Sequence, residues 1–241
     1  MTVGEFFGCS LLAFGPPLAM FVFTIADDPV KIIILIASSF FWLLSLLLSS
    51  LWWFAVIPLR NHLVFGLVFS VVFQEAFRFC IYKILRKAQN GLKKITDDST
   101  HLIENKHILA YVSGLGFGII SGAFSIVNVL ADTIGPATMG LKAGNDLFVV
   151  SSAAMALCFI LLHTFWNVIF FNALDNGNKP NLLIVFTSHM LVSCITLLNR
   201  YQMYSATLVI AYLVLISIMA FAFKVAGGSV SSLKDCIKFK H

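Results

Sequence analysis

The sequence predicts an all-α polytopic membrane protein with seven transmembrane helices, an exoplasmic N-terminus and a cytosolic C-terminus. Of its 241 residues, 59% are hydrophobic and only 11% are charged, whereas a soluble domain carries about 25% charged residues. The chain contains seven apolar segments of the length that a helix needs to cross a bilayer, which is roughly 20 residues. Basic residues are concentrated in alternate connections between these segments, which sets the predicted orientation.

The seven segments fill most of the chain, so we expect one transmembrane domain over residues 1–241 and no separate soluble domain. The first segment lacks the basic start of a signal peptide, and Pro16 and Pro17 at its centre are expected to kink the helix without ending it. The helices are predicted near residues 6–26, 32–56, 63–85, 108–131, 147–171, 181–199 and 204–226.

The orientation follows from the positions of the 16 lysines and arginines. With the N-terminus outside, the exoplasmic connections contain only Arg60, Lys142 and Arg200, and Arg78 lies inside the membrane. The other basic residues then fall on the cytosolic side, as membrane proteins prefer. The net charge of +5 is explained by this distribution and does not indicate nucleic-acid binding.

A stripe of glycines marks the fourth predicted helix, in the stretch YVSGLGFGIISGAFS. Gly114, Gly118 and Gly122 are four residues apart, so they share one helix face, and Ser121 and Ser125 widen the groove that they form. Lipid gives no hydrophobic drive for helix association, so close backbone approach must supply the attraction. The stripe therefore predicts a helix–helix interface, either with another helix of this chain or with a helix of a partner.

Polar residues inside the predicted spans are candidate functional groups, because charge at this depth is costly. Glu75 and Arg78 lie three apart in the third helix, and His163 and Asn167 lie four apart in the fifth. His189 lies in the sixth helix at a similar depth. We expect these residues to form one intramembrane polar cluster.

Most chemistries that such a cluster could perform do not fit the sequence. Two membrane histidines are fewer than the three ligands of a catalytic zinc site, no helix carries HExxH, and we expect no metal and no cofactor. Ser121 lacks a nucleophile turn, and an aspartyl dyad has no pair of buried aspartates. A seven-helix receptor is disfavoured by the small loops.

The glutamate-dependent intramembrane proteases resemble this layout more closely. They place a glutamate and an arginine on one helix, FxxxH on a second and a histidine on a third. Glu75 with Arg78, Phe159 with His163, and His189 reproduce that arrangement. However, Gln74 replaces the first of the paired glutamates, Arg78 comes one position early, and Ser193 stands where Asn or Asp is expected. A buried network that fixes helix register is the favoured interpretation.

The whole chain from Phe6 to Ser229 resembles the anterior-pharynx-defective (Aph) family, the scaffold subunit of gamma-secretase. The resemblance rests on the first two spans and on FQEAFRF, YVSGLGFGIISGAFS, LLHTFWNVIFF and AGGS in matching order. It implies a non-catalytic, multi-pass subunit that holds together presenilin, nicastrin and the presenilin-enhancer subunit in the endoplasmic reticulum, Golgi and plasma membrane. Presenilin cleaves type I membrane proteins such as Notch and the amyloid precursor protein. The resemblance ties Gly114, Gly118 and Gly122 to assembly, and His163 and His189 to presenilin contact.

Overall fold

Seven long helices make up most of the chain in the computed structural model, which describes residues 3–59, 61–92, 106–134 and 146–229. All seven are long and apolar enough to cross a membrane, the sixth when its 3₁₀ extension to Tyr201 is included. No strand occurs in these described ranges. The helices are α1 (Val3–Thr24), α2 (Pro29–Ala55), α3 (Leu63–Leu92), α4 (Lys106–Ile134), α5 (Asp146–Asp175), α6 (Lys179–Ile195) and α7 (Tyr204–Val225).

Two of the connections are tight turns with side-chain caps. Asp28 caps α2 by accepting a hydrogen bond from the backbone N–H of Val30 at 2.9 Å, and Pro29 occupies the first turn. Asn178 caps α6 by accepting from the N–H of Asn181 at 3.3 Å. These caps satisfy amide groups that a helix start leaves unpaired. The two turns join α1 to α2 and α5 to α6, and of these two pairs α5 and α6 pack against each other.

The predicted helix ends are wrong at several positions. The third helix continues to Leu92 and does not end at residue 85, and α5 continues to Asp175, beyond the predicted residue 171. Apolar character does not predict these extensions, because polar and charged residues lower the hydropathy of both helix ends. The sixth predicted span, 181–199, lies within an apolar span from Lys179 to Tyr201, whose last part, Thr196–Tyr201, is a 3₁₀ helix.

The centre of the bundle is the pair α4 and α5, which make the most extensive helix–helix contact. In each of these two helices, 44% of the residues in an 18-residue apolar stretch are buried. The corresponding share in the other five helices is 17–28%. Helix α5 also packs against α1, α6 and α7, and α4 packs against α1 and α2. Helix α3 lies between α2 and α6. Large apolar side chains cover the outer faces of the helices, as expected of an integral membrane protein.

Candidate functional site

An ion pair within α3 begins the buried polar cluster. Arg78 donates from Nε to both carboxylate oxygens of Glu75, at 3.2 and 3.1 Å. Their three-residue spacing puts both side chains on one helix face. Arg78 is completely buried and Glu75 is 8% exposed, so each charge depends on its protein partners for stabilisation.

The same pair is bonded to two further helices. Arg78 donates from Nη1 to the backbone oxygen of His163 at 3.3 Å and to Oδ1 of Asn167 at 3.2 Å. Its Nη2 lies 3.0 Å from Nδ1 of His163. On the other side, Nδ1 of His189 lies 2.7 Å from Oε1 of Glu75. The structure thus brings all five residues of the expected cluster together, from α3, α5 and α6.

The bonding partners assign the proton positions of the two imidazole rings. Arginine has only donors, so Nδ1 of His163 must accept and the proton of that ring is on Nε2. An ionised carboxylate has only acceptors, so Nδ1 of His189 carries a proton and donates to Glu75. The two histidines therefore have different roles: one accepts from the arginine and the other supports the glutamate.

Aromatic rings surround the cluster. The guanidinium of Arg78 lies 5.0 Å from the ring centroid of Phe117 on α4. The Trp166 ring stacks on His189 with centroids 4.5 Å apart, and its indole N–H donates to Ser188 at 2.9 Å. Such contacts add cation–π and stacking energy and hold the rings in one orientation. The fully buried Trp166 couples α5 to α6 at the level of the cluster.

A cavity of about 530 Å³ lies beside the cluster, and His163 and His189 form part of its wall. Ser121 and Ser125, which were expected to widen the glycine groove, line this cavity. The Oγ of Ser125 donates to the backbone oxygen of Gly122 at 2.8 Å. The other polar lining residues are Ser70, Gln74, Ser151, Ser152, Ser193, Thr196, Asn199 and Tyr204.

The glycine stripe packs against α5 of the same chain. A Cβ added to Gly118 would lie 2.5 Å from the backbone oxygen of Ile160, and one added to Gly114 would lie 2.8 Å from that of Thr164. At Gly122 the nearest atom is the side-chain Cδ1 of Ile160, at 2.6 Å. Of the two partners that the sequence left open, these glycines therefore contact a helix of this chain.

A second close interface on α4 was missed by the sequence analysis. Gly116 faces α2 so closely that an added Cβ would overlap the backbone oxygen of Leu35. The Ser39 hydroxyl bonds to the Gly116 carbonyl at 2.8 Å, and Oγ of Ser38 lies 2.9 Å from Oγ of Ser113. Gly116 does not follow the four-residue spacing of the stripe, so the stripe does not predict its contact. The adjacent small residues Ser38 and Ser39 of α2 are the sequence feature that could have indicated this second interface.

Within the described residues, no group of three or more His, Cys, Asp or Glu side chains is arranged to hold a metal ion. Both oxygens of Glu75 are already engaged by Arg78 or His189. The polar cluster can hold three helices together. Its hydrogen bonds and ion pairs join polar groups that lipid would not solvate.

These features define a polytopic membrane protein in which glycines allow the two central helices to pack closely and a buried polar cluster joins further helices to them. The Aph-1 protein family matches residues 4–229. The chain is 62% identical over 237 residues to the gamma-secretase subunit Aph-1 of Drosophila melanogaster, covering 98% of this chain and 99% of that one. It is 47% identical to the gamma-secretase subunit Aph-1b of Danio rerio, over 100% and 95% of the two chains. It is 32% identical to the gamma-secretase subunit aph-1 of Caenorhabditis elegans, over 95% and 82%.

The chain belongs to the Aph-1 family.

Proposed function

We propose that this chain is a non-catalytic scaffold subunit of gamma-secretase. The observation that carries the proposal is that Glu75, the ionised acid of the cluster, bonds both to Arg78 on its own helix and to His189 on α6. A general base must be free to take up a proton from water or substrate, and this carboxylate is committed to Arg78 and His189. Membership of the Aph-1 family and the printed names of the relatives support the same function.

The proposed partners are presenilin, nicastrin and the presenilin-enhancer subunit, together with the surrounding lipid bilayer. The chain acts as one transmembrane domain over residues 1–241, with the N-terminus exoplasmic and the C-terminus cytosolic. It works in the endoplasmic reticulum, Golgi and plasma membrane, and the complex cleaves type I membrane proteins such as Notch and the amyloid precursor protein. The proposal includes no cofactor and no nucleic acid.

The assembly role is assigned to two groups of residues. The glycine stripe keeps α4 and α5 at a spacing that no larger residue permits at Gly114 or Gly118. The polar cluster then fixes α3 and α6 on that central pair, through Arg78, Asn167 and the two histidines. A bundle braced in this way presents its outer faces to partner helices with little reorganisation on binding.

A stand-alone glutamate-type intramembrane protease is the alternative function. It is favoured by the 2.7 Å contact between Glu75 and His189 next to a cavity that His163 also lines. In that mechanism the glutamate would activate water and the histidines would stabilise charge. The engaged carboxylate and the altered motif spacing speak against it.

Affinity purification distinguishes the two functions. Membranes are solubilised in mild detergent, the full chain is captured through a C-terminal tag, and the captured particle is sized and its proteins are identified. A scaffold subunit co-purifies with presenilin and nicastrin in a stable particle. A lone chain that cleaves substrate by itself would overturn the proposal.

The variant Glu75→Gln sharpens the comparison. Cleavage is normalised to the amount of assembled complex, because the substitution also disturbs the buried ion pair. A scaffold keeps its normalised cleavage rate with this variant, whereas a glutamate protease loses activity altogether. Gly8→Ala serves as a control for the effect of substitution in general, because nothing lies within 4 Å of a Cβ added to Gly8.

A further inference from the structure

We propose that Asp175, with Arg86 and Tyr82, forms a second anchor that positions α3 on α5 and so holds Glu75 and Arg78 in place. Arg86 donates from Nε to Oδ1 of Asp175 at 3.0 Å and from Nη2 to Oδ2 at 2.5 Å. The hydroxyl of Tyr82 donates to Oδ1 at 3.0 Å. The side chains of Arg86 and Asp175 are each only 13% exposed, so this is a largely buried bidentate pair.

The second anchor continues the polar cluster along one face of each helix. Arg78, Tyr82 and Arg86 are spaced four residues apart on α3. The residues that they contact on α5 are also spaced by four, and they follow in the same order because the two helices run in the same direction: His163, Asn167, Phe171 and Asp175. Four-residue steps keep side chains on one face. We call this continuous set of contacts the polar ladder.

Phe171 supplies the apolar part of the polar ladder. Its ring meets the Tyr82 ring edge-on, with centroids 5.0 Å apart. The guanidinium of Arg86 lies 5.5 Å from the same ring, which adds a cation–π contact to the ion pair. The contacts of Arg78, Tyr82 and Arg86 with α5 are therefore continuous, from the buried cluster to the end of α5.

Helix α3 depends on these long side chains because its backbone is not closely packed against α5. The extensive contacts of α3 are with α2 and α6, while α5 is packed against α1, α4, α6 and α7. An arginine fork matches a carboxylate in one plane and at one distance. Two arginines eight residues apart, roughly 12 Å along the helix, therefore fix both the axial position and the rotation of α3 relative to α5.

Asp175 acts through α3, so it is a positioning residue for the polar cluster. A shift of α3 by one residue moves it about 1.5 Å along its axis, which is enough to break the bonds of Arg78 to His163 and Asn167. The inference about helix position concerns the chain itself. Its consequence for complex formation rests on the proposed scaffold function.

Charge reversal tests the pairing directly. Arg86→Asp and Asp175→Arg are each expected to lower the yield of monodisperse, detergent-solubilised full-length chain at least about fivefold, because each leaves two like charges facing one another in a largely buried place. The double variant is expected to recover most of that loss. Asp175→Glu, which keeps the charge, is expected to lose little.

Lys87→Asp is the matched control, since it makes the same charge change at an exposed neighbouring position. Its yield should stay within about twofold of the unmodified chain, as surface substitutions usually do. Equal losses from Lys87→Asp and Arg86→Asp would overturn the proposal, because the effect would then come from the charge balance at the membrane surface. Failure of the double variant to recover would also overturn it.

A second measurement separates positioning from a local contribution to stability. Thermal unfolding is measured for Asp175→Asn, for Glu75→Gln and for the two together. Independent sites more than about 10 Å apart usually add, so a merely local anchor predicts additive losses. If Asp175 positions the cluster, the combined loss is smaller than the sum. Additive losses would overturn the positioning role.

Co-purification of presenilin with the same variants reports on the complex. If the proposed scaffold function is wrong, the unmodified chain itself fails to capture presenilin, and the yield and unfolding results still decide the role of Asp175. If the scaffold function holds and Asp175 positions the cluster, capture falls with each single reversal and returns in the double variant. Normal capture by both single reversals would overturn the consequence for assembly.

Discussion

Arg78 donates a hydrogen bond to Oδ1 of Asn167 over 3.2 Å, although the two residues are 89 positions apart in the chain. The amide nitrogen of the same Asn167 donates to the backbone oxygen of Ala110 on α4 at 2.9 Å. The Cβ of Asn167 is also the nearest atom, at 2.7 Å, to a Cβ added to Gly114. One side chain thus connects the polar cluster to the glycine interface, so the two features that the sequence suggested separately form one structural unit.

The glycines of the stripe differ in what they contact, which predicts a graded response to alanine. Gly118→Ala places a methyl group against the backbone of Ile160, which cannot move aside, whereas Gly122→Ala meets only the flexible end of the Ile160 side chain. We expect Gly118→Ala to cost about 1–3 kcal/mol of unfolding free energy, the usual range for overpacking. Gly122→Ala should cost clearly less.

Thermal unfolding of the solubilised chain measures the difference between the two alanine variants. Gly8→Ala, where an added methyl group meets nothing within 4 Å, is the control. Leucine at either stripe position exceeds the available space and is expected to abolish assembly. A Gly118→Leu chain that assembled normally would contradict the packing argument.

The second interface predicts an equally strict requirement at Gly116. Its added Cβ would overlap the Leu35 carbonyl, so Gly116→Ala should separate α2 from α4 and destabilise the chain about as much as Gly118→Ala does. Ser39→Ala removes only the hydroxyl that bonds to Gly116 at 2.8 Å, which is worth about 1 kcal/mol. Equal unfolding temperatures for Gly116→Ala and the unmodified chain would show that this contact is looser than the structure has it.

The histidines should respond differently to lysine because their neighbours differ. His163→Lys places a second cation beside Arg78, where His163 now accepts a hydrogen bond, and an uncompensated buried charge costs roughly 3–5 kcal/mol. At position 189 a lysine would meet Glu75, so its charge is compensated in part. We expect the loss from Lys relative to Asn to be larger at His163 than at His189.

The yield of monodisperse chain and the cleavage per assembled complex measure these four histidine variants. His163→Asn and His189→Asn serve as uncharged references of similar polarity. If lysine and asparagine were equivalent at His163, the charge next to Arg78 would have no influence.

The sequence could predict the helices and the membership of the polar cluster, for identifiable physical reasons. Long uncharged runs are sufficient to locate spans, and Glu75, Arg78 and His189 are conspicuous because charged and polar groups are rare at that depth. The helix that packs against the glycine stripe could not be derived from the sequence. Residue spacing shows which face of α4 carries small residues, but it does not show which helix packs on that face. The contacts of Gly114 and Gly118 with α5 are a property of the folded bundle.

The residues missed by sequence analysis share a different cause. Arg86 and Asp175 lie outside the predicted spans, because charge lowers the apparent hydropathy of a helix end. Their mutual bond joins the extended ends of α3 and α5, and a bond between distant residues is not visible in local composition. Gly116 was missed because it lies between two members of a more regular pattern.

The dual contacts of Asn167 predict energetic coupling between the two parts of the unit that it connects. Gly114→Ala displaces Asn167 or Thr164, and Arg78→Met removes the donor to Asn167. The first substitution therefore already weakens the bond that the second removes, and their combined loss of unfolding free energy should be smaller than the sum. Interaction energies of about 0.5–3 kcal/mol are typical of residues that share a partner.

The control pair is Gly116→Ala with Arg78→Met, because Gly116 faces α2 and its effect should simply add. Thermal unfolding of the unmodified chain, the two single variants and the double variant of each cycle gives both interaction energies, and equal values in the two cycles would exclude Asn167 as the connection.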